Sequence, residues 1–423
     1  MRQAPCATCA TPSVGKRIVI AGGGYAGTTA AVNLGRKLKG RSDVEIMLIE
    51  PNAHQQALSE LDLVAVGPAR AEFCELWLAR VFKNLPVTVC YNRVTSVNPA
   101  SHSVTVGSHG VTTGEVDYWR LVLATGAVAF VPPVPGLAEH AVTMWSVADA
   151  QELQRRGEVQ FRVAAKLDPI DRPRALSFTV IGGGATGIEI VGTLAELLPK
   201  RIHTFGLDRS DLRIRLVEGR PDILYDLPQQ LRERTKRHLA KLGVELITGS
   251  MVSRVERDTV HLENGSVIDS SVLVFCGGAK AEPSALEWGL EADASGRLVV
   301  SEVCKAPGYD DIYVVGDISA FRDTETGRTI PMLAQFAIRE AEHTAKNILR
   351  ELRCEQPTPF PSGMHGEFVS AGPRWGIGWM FGLNLSGIPA IIMKRLTYVL
   401  YWLQVGGILL AVRRTREMLK MQR

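Results

Sequence analysis

The fold is decided by residues 17–27, which read RIVIAGGGYAG. The apolar run 17–21 is typical of a buried strand, and residues 28–34 after the glycine-rich turn have the composition of a packed helix. A second apolar run, 44–49, ends on Glu50. A strand, a GxGxxG turn, a helix and a second strand that ends in an acid predict a dinucleotide-binding unit.

The same arrangement returns about 160 residues later, where residues 177–187 read SFTVIGGGATG. A helix-like run, 188–196, follows, and the strand-like run 212–217 ends on Glu218. A lone GxGxxG is a weak signal, but two copies in the same strand, turn and helix context predict two bound dinucleotides. We therefore predict an α/β fold with two Rossmann-like dinucleotide-binding domains.

Each glycine of the two turns has its own role. The first allows the tight turn, the second lets the backbone approach a pyrophosphate, and the third lets the helix pack closely on the strand. In chain order they are Gly22, Gly24 and Gly27 in the first copy and Gly182, Gly184 and Gly187 in the second. Glu50 and Glu218 are placed to accept hydrogen bonds from ribose hydroxyls.

The second acid also predicts which nicotinamide nucleotide binds. Glu218 would repel a 2′-phosphate, whereas Arg220 could accept one, and we favour NADH over NADPH. Glu218 lies 36 residues after Gly182, against roughly 20 in the usual unit. We place the excess in a surface insertion at residues 200–211.

The composition excludes several other classes of protein. With 48 basic and 44 acidic residues, the global charge indicates no nucleic-acid partner. Seven cysteines are too sparse for a disulfide scaffold, and nine histidines show no spacing typical of a metal site. Residues 1–15 lack the pattern of a signal peptide and are predicted to be a disordered leader, in which Cys6 and Cys9 have no second pair to complete a site.

Two further segments resemble the flavoproteins that carry two dinucleotide-binding domains. One is the ATG segment Ala124-Thr125-Gly126. The other, 312–317, is similar to the turn by which that superfamily holds the flavin ribityl chain, and it ends on Asp317. The resemblance implies that the first site takes FAD and the second takes NAD(P)H. The remaining candidate cofactor contacts are Tyr25, Ala26, Thr186, Gly277 and Gly278.

Within that superfamily the chain resembles the type II NADH dehydrogenases, which are single-chain NADH:quinone oxidoreductases. Residues 182–189, GGGATGIE, are similar to their GGGPTGVE, and residues 334–339, AQFAIR, resemble their AQxAxQ quinone motif. The resemblance implies catalytic roles for Glu189, Gln335 and Arg339, where nicotinamide, flavin and acceptor would meet.

The same regions depart from the family pattern. Arg339 stands where the family has its second glutamine, and residues 55–58 read QQAL where the family tends to show phenylalanine and proline. Arg339 could stabilise a reduced flavin or a quinone oxygen, or form a surface salt bridge. For Glu189 the alternative to a catalytic role is an acid favoured by the helix dipole, and Glu196 is expected on a solvated helix face. The electron acceptor therefore stays open.

The C-terminal stretch 396–412 is apolar apart from two residues, and Lys394-Arg395 and Arg413-Arg414 bracket it. As one helix of 17 residues it would reach about 25 Å, short of the roughly 30 Å hydrocarbon core of a bilayer. Gly406-Gly407 would also weaken it. We predict an amphipathic segment that lies in the membrane interface. A buried helix or a homodimer contact would give the same pattern.

Together these features predict a peripheral membrane flavoprotein on the cytoplasmic side of the cell membrane. It would transfer a hydride from NADH to FAD and pass the electrons to a membrane quinone. The predicted parts are a leader at 1–15, an FAD domain at 16–147 and 292–365, an inserted NAD(P)H domain at 148–291 and a C-terminal segment at 366–423. The alternatives are a soluble NAD(P)H-dependent reductase that acts on another protein or a small molecule, a sulfide:quinone type enzyme and a flavin-binding redox sensor.

Overall fold

The computed structural model describes residues 15–67, 69–108, 110–364 and 366–420. The predicted leader with Cys6 and Cys9 lies outside the described residues, apart from residue 15. Within these ranges the helices are α1 (Tyr25–Lys37), α2 (Leu61–Val66), α3 (Leu78–Val81), α4 (Leu137–His140), α5 (Val147–Ala164), α6 (Arg172–Ala175), α7 (Ala185–His203), α8 (Gln229–Lys241), α9 (Ala334–Glu351) and α10 (Ile388–Lys420).

The first large sheet carries the N-terminal glycine turn at the end of its central strand. Its parallel strands lie in the order Ile312–Val314, Arg120–Leu123, Lys16–Ala21, Val44–Ile49 and Thr88–Cys90. The central strand is buried from Ile18 to Ala21, as is usual for parallel strands that helices cover on both faces. α1 leaves the turn and packs against α9.

The second large sheet repeats this plan. Its parallel strands lie in the order Val142–Thr143, Val272–Phe275, Ser177–Ile181, Arg213–Glu218 and Val244–Thr248. The strand before the glycine turn is again central, and α7 leaves the turn. The predicted α/β fold with two such units is confirmed. One strand of this sheet, Val142–Thr143, precedes the predicted start of the inserted domain, and the domain boundaries stay a prediction.

Smaller sheets complete the two units. They are formed by Arg93–Asn98, Ser103–Ser108 and Val111–Asp117, by Val252–Glu256, Thr259–Leu262 and Val267–Asp269, and by the pairs His54–Gln56 with Glu75–Trp77, Leu298–Val299 with Ser319–Ala320, and Ala127–Ala129 with Ala279–Ala281. The last pair connects the two units, because Ala127–Ala129 follows a strand of the first large sheet and Ala279–Ala281 follows a strand of the second. Residues 200–211, the predicted insertion, form the end of α7 and a 3₁₀ turn at Arg209–Asp211.

The C-terminal segment is a three-stranded antiparallel sheet followed by α10. The strands are Gly366–Ser370, Gly376–Met380 and Leu383–Ser386. α10 is broken at Gly407, where φ is +72°, so the predicted weakness of the glycine pair is confirmed. By length and composition α10 is long and apolar enough to cross a membrane, but the break divides it into two shorter helices.

The two faces of α10 differ. One face contacts the first dinucleotide unit, and the other exposes an apolar row that we call the apolar face of α10: Ile388, Ile392, Leu396, Leu400 and Leu403. Two of the basic residues predicted to flank a membrane segment are buried instead. Lys394 binds Glu189, and Arg414 donates to the carbonyl oxygens of Glu72 and Phe73 at 3.1 and 2.8 Å.

The C-terminal sheet also packs on the second unit. Arg374 forms an ion pair with Glu196 on α7, and the Glu196 side chain is only 7% exposed. The expectation that Glu196 is solvated is therefore wrong, because a segment almost 180 residues away in sequence covers that face of α7. A Cβ on Gly192 would lie 2.3 Å from the carbonyl carbon of Ala371. α7 and this sheet thus approach as closely as glycine allows.

We expect Gly192→Ala to lower the thermal stability of the protein, because the added methyl group must displace the backbone at Ala371. Overpacking of this kind costs about 1–3 kcal/mol. Gly157→Ala on α5 is the matched control: it is also a buried helical glycine, but its Cβ would make only ordinary contacts of 3.6 Å or more. Thermal unfolding should show a lower Tm for Gly192→Ala only. An equal Tm for both variants would contradict this packing.

Candidate active site

The first glycine turn admits no side chain at two of its positions. Gly22 has φ of +102°, and a Cβ there would lie 2.3 Å from the carbonyl oxygen of Ala124. A Cβ on Gly27 would lie 1.8 Å from the Gly22 carbonyl oxygen. A Cβ on Gly24 would meet nothing within 4 Å. This open space lies before the first turn of α1, which includes Tyr25 and Ala26. A pyrophosphate would bind in this space.

The second turn has the same geometry. A Cβ on Gly182 would lie 2.7 Å from the carbonyl oxygen of Cys276, and one on Gly187 would lie 1.8 Å from that of Gly182. A Cβ on Gly184 would again meet nothing within 4 Å. Gly184 precedes the first turn of α7, which includes Thr186. The two sites therefore suit the same anionic group. The predicted contacts Gly277 and Gly278 follow the neighbouring strand at the same end of this sheet.

Backbone amides hold the two predicted ribose-binding acids in matching positions. Glu50 accepts hydrogen bonds from the amides of Gly23 at 2.7 Å and Asn52 at 2.8 Å. Glu218 accepts them from the amides of Gly183 at 2.5 Å and Arg220 at 2.7 Å. Each carboxylate is fixed beside its glycine turn and keeps further acceptor capacity for ribose hydroxyls.

The flavin-related segments also lie beside the first turn. The Thr125 hydroxyl oxygen is buried and has no hydrogen-bond partner among the described residues. Gly126 follows with φ of +75° and open space at its Cβ position. Burial raises the pKa of Asp317, and nearby Arg297 partly offsets this. An unpartnered hydroxyl, a bare glycine and a partly buried acid fit a polar cofactor such as FAD.

Glu340 on α9 is a further residue of this site. It is fully buried, accepts a hydrogen bond from the Gly316 amide at 2.5 Å, and holds the turn that carries Asp317. Burial raises the pKa of Glu340 to about 8, although the Gly316 amide and Arg297 favour the ionised form. One signal in the sequence could have indicated it: Glu340 lies on the helix face of the buried Phe336 and Ala337, where periodicity predicts an apolar residue.

Glu189, in the second turn of α7, is held by the C-terminal segment. Lys394 of α10 donates to Glu189 Oε1 and, at 2.7 Å, to Ser370 Oγ. The Ser370 amide lies 3.3 Å from the same Glu189 oxygen. Burial lowers the pKa of Lys394, but Glu189, Tyr398 and Asp62 outweigh it and raise that pKa above its ordinary value. The motifs of the sequence do not indicate Lys394.

The other two predicted catalytic residues lie in the first turns of α9 but face different partners. Gln335 donates from Nε2 to the Gly366 carbonyl oxygen at 3.1 Å, so Gln335 and Glu189 both contact the strand Gly366–Ser370. Arg339 donates to the carbonyl oxygens of Gly363, at 2.7 Å, and Pro361. These partners are backbone carbonyls, so within the described part of the chain Arg339 does not form the surface salt bridge.

Two more buried carboxyl groups lie near Glu189. Asp62 on α2 accepts a hydrogen bond from the Thr193 hydroxyl of α7 at 2.7 Å, and burial together with Glu189 raises its pKa to about 6. Glu60 is 4% exposed, and its Oε2 atom has no partner among the described residues. Burial raises the pKa of Glu60 to about 8 against the opposing charge of Arg414.

Tyrosines of α1 and α10 cover this cluster. The rings of Tyr25 and Tyr401 lie 5.0 Å apart, and the Tyr25 hydroxyl lies 3.1 Å from Ser59 Oγ. The Tyr401 hydroxyl donates to Gln55 Oε1 at 2.7 Å. Gln55 is one of the residues at which the chain departs from the family pattern. In this protein it is a contact for the C-terminal helix.

Comparison with known proteins places the chain in a family. The family model described as pyridine nucleotide-disulphide oxidoreductase matches residues 16–341. The chain belongs to this family of oxidoreductases.

Two relatives resemble nearly the whole chain. The type II NADH:quinone oxidoreductase of Staphylococcus aureus (strain NCTC 8325 / PS 47) is 29% identical over 403 residues, which cover 94% of this chain and 98% of the relative. The structure of NDH2 from Plasmodium falciparum in complex with NADH has a TM-score of 0.85 at 15% identity, covering 96% of this chain and 98% of that one.

The sulfide:quinone oxidoreductase from Aquifex aeolicus shares the fold, with a TM-score of 0.75 and 20% identity over 93% of this chain and 92% of that one. At these identities the two solved structures show the fold alone.

Glu60 predicts a specific pH dependence of stability. Its pKa is about 8 in the folded protein, whereas an unfolded glutamate titrates near 4.3. Between these pH values the folded state binds more protons, so the free energy of unfolding falls as pH rises from about 4.3 to about 8.

We expect Glu60→Gln to remove this contribution. The variant should therefore become more stable relative to the parent as pH rises, by a few kcal/mol near pH 8, because a pKa difference of one unit corresponds to about 1.4 kcal/mol. Chemical unfolding at several pH values measures the difference. Glu291→Gln, on an exposed residue, should leave the pH dependence of the parent in place. A constant difference between Glu60→Gln and parent would contradict the assignment.

Proposed function

We propose that this protein oxidises NADH through FAD and passes the electrons to a membrane quinone. The observation that carries the proposal is the buried ion pair between Glu189 and Lys394. It joins the helix that leaves the second glycine turn to the apolar C-terminal helix. The nucleotide-binding machinery and the element suited to a membrane therefore meet at one point.

The relatives support this function. The Staphylococcus aureus relative is named a type II NADH:quinone oxidoreductase and matches nearly the full chain. In the solved structure of NDH2, a protein of this fold is in complex with NADH. Both observations agree with two dinucleotide turns of matching geometry.

Each cofactor has its own set of residues. FAD would bind at the first glycine turn, with Glu50 on its ribose and Thr125 and Asp317 near the flavin. NADH would bind at the second turn, with Glu218 on its ribose. The chemistry that a bound FAD would supply is acceptance of a hydride from the nicotinamide and release of electrons to the next acceptor. The chain itself binds and orients the two cofactors, which is the main requirement for hydride transfer.

The acceptor side needs protons as well as electrons, because a quinone becomes a quinol by taking up two of each. Lys394 Nζ holds a proton beside Glu189, since the surrounding carboxylates raise its pKa. Because a raised pKa makes Lys394 a poor source of protons, we assign it as a fixed positive charge that would stabilise a reduced quinone, with the two protons taken up from water and the Gln335 amide as a hydrogen-bond donor at the other end of the strand Gly366–Ser370. Arg339 would act by fixing the segment 361–363 that it binds.

The apolar face of α10 would lie in the membrane interface. Its five residues are exposed, and Arg395, Arg413 and Arg416 add positive charge to the same helix. The opposite face is buried against protein and includes Lys394 and Arg414, so α10 suits the bilayer surface better than a span. We propose attachment to the cytoplasmic face of the cell membrane.

The alternative is a soluble reductase in which the apolar face of α10 forms a homodimer contact. A sulfide:quinone type mechanism is less well supported, because it needs reactive thiols beside the flavin. Burial raises the pKa of Cys276 to about 12, which keeps that thiol protonated and unreactive.

Anaerobic titration of the flavin-loaded protein with NADH, followed by a short-chain quinone, tests the proposal. We expect NADH to bleach the flavin absorbance and quinone to restore it. Bleaching without reoxidation by quinone would favour the soluble reductase. No bleaching by NADH would overturn the proposed function.

Nucleotide preference tests the role of Glu218. We expect Glu218→Gln to lower kcat/KM for NADH about tenfold, which corresponds to about 1.4 kcal/mol for a weakened ribose contact. Loss of the negative charge should also raise the relative rate with NADPH. Steady-state kinetics with a soluble dye measures both.

Glu50→Gln makes the same change beside the first turn and serves as the matched control. It should reduce FAD retention, measured by flavin absorbance after gel filtration, without changing the NADH to NADPH ratio. If the two variants affected nucleotide preference alike, the assignment of the two sites would be wrong.

A further inference from the structure

α8 carries a row of exposed cations without an acidic partner. Arg234, Arg237 and Lys241 are all exposed and, at 3.6 residues per turn, fall within an arc of about 60°. Arg234 donates to Ser386 Oγ at 2.9 Å, and Arg237 donates only to a backbone carbonyl of its own helix. The acid of α8, Glu233, lies one turn before Arg237, but its carboxylate pairs with Lys236 at 2.6 Å.

The C-terminal sheet holds this row of cations next to the apolar face of α10. The imidazole of His238 on α8 stacks on Trp375, with ring centroids 4.1 Å apart and an angle of 8°. Ser386, the partner of Arg234, is two residues from Ile388, where the apolar face of α10 begins. Leu383 on the same strand as Ser386 is 69% exposed. Exposed cations and exposed apolar side chains thus adjoin across the two domains.

This combination matches the chemistry of one partner. An apolar surface alone would suit a lipid bilayer or a second protein, but adjoining unpaired arginine and lysine side chains complement anionic phosphate groups. Each such residue near an anionic membrane contributes about 1 kcal/mol to binding. The net charge of the whole chain is only +4, so the attraction must come from local clusters of this kind.

We propose that the row Arg234, Arg237 and Lys241 binds the headgroups of anionic phospholipids, so that the second dinucleotide unit also lies on the membrane surface. This inference rests on the proposed attachment of α10 to a membrane. Two contacts, one on each unit, would fix the orientation of the protein on the bilayer. α10 supplies the apolar affinity together with the positive charge of its own arginines, and α8 adds further selectivity for negative charge.

Vesicle sedimentation tests the proposal on the full-length, flavin-loaded protein. The test variant is Arg234→Gln/Arg237→Gln/Lys241→Gln. The control is Arg155→Gln/Arg162→Gln/Lys166→Gln, which removes three exposed cations in or directly after α5 and changes the net charge equally. Vesicles are made of phosphatidylcholine alone or mixed with phosphatidylglycerol. Dye reduction by NADH verifies that each variant is folded.

We expect the α8 variant to lose roughly 10- to 100-fold in affinity for the phosphatidylglycerol vesicles and to bind phosphatidylcholine as the parent does. High salt should remove the difference. The α5 variant should bind both vesicles as the parent does. Equal binding of the α8 variant and parent to phosphatidylglycerol vesicles would overturn the inference, and so would an equal loss in the α5 variant.

A third variant separates this inference from the proposed function. Ile392→Ser/Leu396→Ser on the apolar face of α10 should weaken binding to both kinds of vesicle. If the parent binds neither kind, the membrane attachment in the proposed function is wrong and the inference falls with it. If the parent binds both kinds of vesicle and the α10 variant binds both more weakly, membrane attachment stands. If the α8 variant then binds both kinds as the parent does, the inference alone is wrong.

Discussion

The whole arrangement depends on one steric constraint, the contact between the third glycine of each turn and the carbonyl oxygen of the first. A Cβ on Gly27 or Gly187 would lie 1.8 Å from that oxygen, far inside any real contact. Only glycine lets the helix start so close to the strand, and this start leaves free amides facing open space. Because both units meet the same constraint, they present two sites of the same kind.

The buried ion pair between Glu189 and Lys394 has a different role. Removing two charges from water is costly, so a buried pair of this kind contributes little net stability. Here the pair fixes one register between α7, the strand Gly366–Ser370 and α10. The site where acceptor chemistry is proposed is thus built from segments of both units and of the C-terminal region.

The sequence predicts what is local and misses what depends on distant packing. The glycine turns and the acids Glu50 and Glu218 are recognisable because strand, turn and acid follow each other along the chain. Lys394 and Glu60 carry no such signal, since their burial requires α10 to pack on the first unit. For the same reason Glu196 is covered although its helix position indicates exposure. Arg339 binds backbone carbonyls, a partner that no motif specifies.

The break at Gly407 also bears on how such a protein is made. After it, residues 408–420 form a helix of about 20 Å, which is too short to traverse the hydrocarbon layer. In the part of the chain that the structure describes, the long apolar helix is thus divided, and one face of it is covered by protein. The attachment proposed for α10 would therefore need no insertion machinery, and the protein would exchange reversibly between the aqueous phase and the bilayer surface.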